Sequence, residues 1–154
     1  MTNRDSAFRY RNVPLLLLHL RERHLARFRP LLTRKGLTEQ QWRVIRLLVD
    51  HGSLEPREIG RLCGFSSPSL TGVLARMDEL GLVVRERHAR DQRRLHVSLT
   101  ARARRLAVAM APEIDAIYER IRADVGEPLY ARLCEAIEHV IAQLEAAPHS
   151  GRKS

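Results

Sequence analysis

The chain has 154 residues, 44% hydrophobic, 5% aromatic and 29% charged, with a formal net charge of +9. That hydrophobic share supports a buried core and excludes a wholly disordered tail, and the length fits one domain with dimerisation arms. The charge is uneven, with 11 basic against 4 acidic residues over Met1–Asp50, 8 against 2 over Leu82–Arg105, and 3 against 8 over Leu106–Ala147. Lys35 and Lys153 are the only lysines, so arginine abundance also fits a GC-rich genome, but that does not explain the acidic segment.

Residues 1–12 are polar and basic and read as a loose arm. Val13, Leu17, Leu20, Phe28 and Leu31 recur at helical spacing, predicting a first helix over Val13–Leu32 that Pro30 and Gly36 end. The apolar run Val13–Leu18 is too short to span a membrane, and Arg21, Glu22 and Arg23 soon follow it. No cleavage-like segment follows, so no export signal is expected. Thr38 opens a second helix, with Gln41 placed for a capping box, Trp42, Ile45, Leu48 and Val49 as the buried face, and Gly52 as the stop. Pro56–Cys63 predicts a short third helix with Ile59 and Leu62 inward. Ser67 reads as the N-cap of a fourth, with Pro68 at the first helical position and Gly81 as the C-terminal glycine. Its Leu70, Val73, Leu74, Met77 and Leu80 line one face.

Leu82–His88 and Arg93–Leu99 alternate enough to predict an antiparallel pair. Thr100 caps a long fifth helix whose Leu106, Met110, Ile114, Ile117 and Ile121 share a face, and Gly126 and Pro128 break it. A sixth helix carries Leu129, Leu133, Ile137, Val140, Ile141 and Leu144 on one stripe, and no internal repeat is present. The predicted fold is mainly α with a small β-wing, in a single domain over 1–154. A winged helix-turn-helix DNA-binding lobe at 37–99 lies between dimerisation helices at 1–36 and 100–147, and 148–154 form a flexible tail. The long apolar stripes of the first, fifth and sixth helices need a cover, and a second copy of the chain is the simplest one.

The fourth helix turns Pro68, Thr71, Gly72 and Ala75 away from the core, with Ser69 and Arg76 at the borders. Small side chains let a helix press against base edges, and hydroxyls bond bases or phosphates. Its N-terminus, at Ser66 and Ser67, adds N–H groups and a partial positive charge for a phosphate. The hairpin carries Arg87 and a tip reading Arg90-Asp91-Gln92-Arg93-Arg94. There Asp91 can hold one guanidinium in a bidentate pair, leaving the other arginines for phosphates or a narrow minor groove. An arginine run alone is more often a solvated loop, but directly after a recognition-helix pattern it reads as a wing. The expected partner is double-stranded DNA.

Leu80-Gly81-Leu82-Val83, Asp91-Gln92-Arg93-Arg94 and Leu99-Thr100 resemble the signature of MarR-type winged-helix regulators, and the order of elements agrees over nearly the whole chain. Within that family, Phe28-Arg29-Pro30, Leu37–Leu48 (LTEQQWRVIRLL) and Pro68-Ser69-Leu70-Thr71-Gly72 resemble the branch regulating homoprotocatechuate operons. The resemblance implies a homodimer whose recognition helices enter successive major grooves of a near-palindromic operator while the wings reach the flanking minor grooves. Carried over by position, Asp91 orients the wing tip and Arg93 makes the wing contact. Ser67 departs from the branch, where an arginine is expected, so the operator sequence can differ. The branch further implies control of aromatic-acid breakdown and release from DNA by an aromatic carboxylic acid.

On the first helix Arg21 and His24 fall within the arc of Val13, Leu17, Leu20 and Phe28, where a charge is costly unless paired. Arg21 either pairs within the protein, for example with Glu22 of a second copy, or binds an effector carboxylate. Trp42 is either plain core or a ring for the effector to stack on, with Arg46 as a second cation one turn on. His24 reads as a packed or hydrogen-bonded histidine. Arg21, Trp42 and Arg46 are therefore the candidate effector residues.

Two other functions compete. A thiol-based redox sensor of the same fold would need an activated cysteine. Cys63 lies near Arg61 but faces inward, Cys134 lies near the sixth helix's stripe, and both read as small buried residues. A non-specific architectural DNA protein fits the charge but not the acidic C-terminal helix or the restricted basic face. An enzyme is not expected, because nucleophile–base motifs, glycine-rich phosphate loops and metal-ligand clusters are missing and the seven histidines are scattered. No cofactor, metal or membrane partner is expected, and the two separated cysteines suit a bacterial cytoplasm, on the nucleoid when DNA is bound.

Overall fold

The computed structural model describes residues 9–88 and 91–147, without the side chains of residues 88–94. Most of the expected N-terminal arm, Arg90 and the expected tail at 148–154 lie outside the described residues. The elements run α1 (Val13–Arg34), α2 (Glu39–His51), β1 (Ser53–Leu54), α3 (Pro56–Cys63), α4 (Ser67–Glu79), β2 (Val83–His88), β3 (Asp91–Leu99), α5 (Ala101–Val125) and α6 (Glu127–Ala146). They fall into two compact units, residues 1–114 and 115–154.

In the first unit, Asn12 caps α1 by accepting from the Leu15 N–H at 3.1 Å. The helix carries Pro30 inside it and ends at Arg34, two residues beyond the expected Leu32. A proline there removes one donor and crowds the carbonyl one turn back, but the next turn buries Leu31 and Leu32, which holds the helix beyond it. Thr38 and Gln41 close the predicted capping box on α2. The buried face of α2 is rotated from the expected one. It comprises Gln41, Val44, Ile45 and Leu48, while Trp42 is half-buried and Val49 exposed. Burial of Gln41 is tolerated because its side-chain oxygen accepts from the Thr38 N–H at 2.9 Å.

In α3, Ile59 and Cys63 are buried as expected, but Leu62, also expected inward, is exposed. Ile59 and Cys63 stand one turn apart, and Gly60 faces α4. There a Cβ on Gly60 would meet Leu70 Cδ2 at 3.3 Å. The cap of α4 is Ser66, one residue before the expected Ser67. Ser66 has extended backbone (ψ 155), and its Oγ accepts from the Ser69 N–H at 3.4 Å, whereas Ser67 is already helical. Leu70, Leu74 and Met77 form the buried stripe of α4.

The three strands order β1-β3-β2, both pairings antiparallel, with Val83 opposite Leu99 and Ser53 opposite Ser98. The expected hairpin is β2–β3, and its register slips between Arg87 and His88. Strand β1 was not anticipated, because two residues carry no alternation to read. Thr100 caps α5 by accepting from the Ala103 N–H at 3.1 Å, and Ala103, Ala107, Met110 and Ile114 are buried behind it.

The second unit holds the rest of α5, with Ile117 and Ile121 buried, and α6. Gly126, at φ +92, turns the chain between them, in a backbone region that favours glycine. No residue of α6 is buried within the chain. Its stripe residues Leu129, Val140, Ile141 and Leu144 are half or more exposed.

Candidate nucleic-acid interface

Helix α4 presents Ser67, Pro68, Ser69, Thr71, Gly72, Ala75 and Arg76 to solvent. Ser66 Oγ donates to Ser69 Oγ at 2.9 Å and Thr71 Oγ1 donates to the Ser67 carbonyl at 2.9 Å, so the hydroxyls are oriented and retain acceptor lone pairs. A Cβ added at Gly72 would meet nothing within 4 Å. Nothing inside the chain therefore requires this mid-helix glycine, which costs a helix about 1 kcal/mol relative to alanine. Its bare backbone leaves room for a body approaching from outside. Arg76 is exposed and pairs with Glu79 at 2.8 Å.

The far end of α4 is closed by Gly81, at φ +63. Gly81 N–H donates to the Asp78 carbonyl at 2.9 Å and Leu82 N–H to the Met77 carbonyl at 2.8 Å. The head of α5 grips the same end. Thr100 Oγ1 donates to the Gly81 carbonyl at 2.8 Å and Arg102 Nη1 to the Leu80 carbonyl at 3.0 Å. The ribbon is tied to α4 by Arg85, whose Nε lies 3.6 Å from Asp78. Arg87 is exposed on β2. The side chains of Asp91, Arg93 and Arg94, and all of Arg90, lie outside the described residues.

An open cleft of about 560 Å³ separates α1 and the start of α2 from the turn into α4. It is lined by Arg21, Thr38, Glu39, Gln40, Arg43, Gly64, Phe65, Ser66 and Ser69. Sequence reasoning missed Arg43, whose Nη1 donates to the Cys63 carbonyl at 2.8 Å and whose guanidinium lies 5.0 Å from the Phe65 ring centre. The only sequence signal is a cation beside the apolar stripe of α2.

Arg21 is exposed, and it pairs with Glu22 of its own chain at 2.7 Å. The pair continues into a chain of charges, Glu22 to Arg29 at 2.7 Å and Arg29 to Glu39 at 2.5 Å. The hydrogen bond from Arg29 holds the Glu22 carboxyl below its usual range, and the Glu22 and Glu39 carboxylates in turn raise Arg29. Trp42 and Arg46 do not line the cleft. Arg46 is exposed, 3.8 Å from Asp50. His24 Nδ1 lies 3.0 Å from the Leu20 carbonyl. Burial pushes the Cys63 thiol up, with Arg43 opposing, while Cys134, expected to be buried, is exposed. Among the described residues no helix is long and apolar enough to cross a membrane.

A helix capped at both ends, offering small polar residues to solvent and followed by a two-stranded ribbon, makes this a winged helix-turn-helix protein. The family model described as the MarR family matches residues 35–94. Over 142 residues the chain is 33% identical to the HTH-type transcriptional regulator FarR of Neisseria gonorrhoeae, spanning 92% of this chain and 97% of that protein. Over 131 residues it is 35% identical to the homoprotocatechuate degradative operon repressor of Escherichia coli, covering 85% and 88% of the two. It is also similar to the crystal structure of NadR in complex with 4-hydroxyphenylacetate, with a TM-score of 0.77, 32% identity, and coverage of 88% of this chain and 96% of that one. The chain belongs to the MarR family of transcriptional regulators and is not an enzyme.

Proposed function

We propose that the chain is a homodimeric, sequence-specific repressor that a small aromatic carboxylic acid releases from a near-palindromic operator. It would control an aromatic-acid degradation or related operon in a bacterial cytoplasm. The observation that carries the reading is the exposed face of α4, with its spare glycine and oriented hydroxyls beside the basic ribbon. The proposed DNA contacts are Ser66, Ser67, Pro68, Ser69, Thr71, Gly72 and Arg76 on α4, with Arg87, Arg90, Arg93 and Arg94 on the wing and Asp91 orienting its tip. The apolar stripes exposed on α1 and α6 support the homodimer, since patches of that kind are rarely left in water. The spans 1–36 and 100–147 are accordingly assigned to dimerisation and 37–99 to DNA.

The ligand class rests on relatives, one a homoprotocatechuate operon repressor and one solved with 4-hydroxyphenylacetate. Trp42 offers a half-buried ring and Arg46 a cation one turn on. Arg21 would reach them from a second copy, because within one chain it opens onto a different cleft. The test is fluorescence anisotropy on DNA from upstream of the chain's own gene, in excess non-specific DNA, with aromatic acids titrated in. Release by one acid and not its near analogues supports the proposal. Specific binding that no acid relieves removes the ligand class, and binding lost to the competitor removes that operator.

A further inference from the structure

A recognition helix reads bases only if its orientation is fixed. A small rotation displaces base-edge contacts while leaving phosphate contacts nearly intact. One of the two ends that hold α4 is the turn from α3, where Gly64 adopts φ +68 and the Phe65 N–H donates to the Gly60 carbonyl at 2.9 Å. A side chain from a different element holds that turn. Arg43, half-buried on α2, donates to the carbonyl of Cys63, the last residue of α3, at 2.8 Å. That carbonyl is among the acceptors that a helix terminus leaves without an intrahelical donor. The same guanidinium lies 5.0 Å from the ring centre of Phe65, the residue before the cap of α4. One side chain therefore grips the turn on both sides of Gly64. A planar fork donates along its edge while its face stacks on a ring, a geometry that an ammonium, a compact point charge on a flexible stem, does not reproduce.

We propose that Arg43 is a positioning residue for DNA specificity, setting the angle of α4 through Cys63 and Phe65 without touching DNA itself. The inference rests on α4 being the helix that reads DNA.

The test uses the full chain as wild type, Arg43→Ala, Arg43→Lys, Phe65→Leu and the double variant Arg43→Ala/Phe65→Leu. Binding is measured across a salt series on a duplex that the wild type selects from a random pool, and on a shuffled duplex of the same composition. Arg43→Ala and Phe65→Leu are expected to lower the selected-to-shuffled affinity ratio by about 10-fold, the scale of one lost base contact. Affinity for the shuffled duplex and the salt slope stay near wild type. Arg43→Lys does not restore the ratio, and the double variant loses no more than either single one. Arg43→Lys and Phe65→Leu carry the test if Arg43→Ala fails to fold.

Full selectivity in Arg43→Lys would overturn the proposal. So would a salt slope smaller by about one with both affinities falling together, the mark of a direct phosphate contact. Gly72→Asp separates this inference from its foundation. If Gly72→Asp destroys selectivity and the Arg43 variants do not, only the positioning role fails. If Gly72→Asp also leaves selectivity intact, the reading of α4 fails with it.

Discussion

Ser66 and Ser67 are chemically identical and adjacent, yet only Ser66 caps the recognition helix. Replacing a serine cap by alanine costs about 1 kcal/mol, so Ser66→Ala is expected to lower unfolding free energy by that much in denaturant titration. Ser67→Ala, a surface change inside the first turn, is expected to stay within about 0.5 kcal/mol. The reverse order would return the cap to Ser67. The sequence identified a serine cap next to Pro68 but not which serine, because the choice lies in one backbone angle. Leu62 and Cys63 show the same limit. Apolar character argued for burying Leu62 as well as Cys63, but only Cys63 is buried at the end of α3. Arg43 was illegible for a different reason, since its partners are a backbone carbonyl and a ring 20 and 22 positions on, and spacing along one helix carries no trace of them.

At the scale of elements, the six helices and the hairpin were readable because periodicity and caps agreed. Thr38 with Gln41 at α2 and Thr100 at α5 are the clearest cases. The rotated face of α2 was not readable, because Trp42 and Val49 are as apolar as Val44 and only the neighbouring elements select among them. Cross-element ties were likewise absent from the pattern. The end of α1 is strapped to α5 by Glu113, which meets Arg34 at 2.5 Å and Lys35 at 3.1 Å. These cations, Lys35 foremost, hold the Glu113 carboxyl below its ordinary value of 4.5. A carboxylate lowered by folding contributes stability above its unfolded pKa and loses that contribution as pH falls through the folded one. Glu113→Gln is therefore expected to be slightly less stable than wild type at neutral pH and equally stable once pH falls below that lowered pKa. The gap is small, since the strap is exposed. A gap that persists at pH 2 in parallel melting curves would assign the strap a role other than charge.

For the whole molecule, the uneven charge noted at the outset falls into place, with the basic stretch over 82–105 forming the ribbon and the head of α5. Affinity for DNA is expected to fall linearly with salt on a double-logarithmic plot, whatever the sequence bound. The acidic, apolar-striped α6 has the opposite character. Ile141→Glu with Leu144→Glu is expected to convert a dimer to a folded monomer in analytical ultracentrifugation and to weaken operator binding with it. A dimer that survives both changes would move the interface off α6. The need for a cover was legible in Leu129, Leu133, Ile137, Val140, Ile141 and Leu144, of which Leu133 and Ile137 are half-buried in the single chain and the other four exposed. The family was legible too, from the resemblance of Leu80–Val83 and Asp91–Arg94 to its signature.

Helix α4 is held at both ends by other elements. The turn before it is gripped by Arg43 of α2, and the turn after it by Thr100 and Arg102 at the head of α5. In engineering terms it is a beam built in at both supports. Such a beam has no free end to swing, so it travels with its frame or bows between the clamps. If α4 reads DNA as proposed, a signal that lifts it must carry α2 and the head of α5 along with it, as the displacement of a whole lobe.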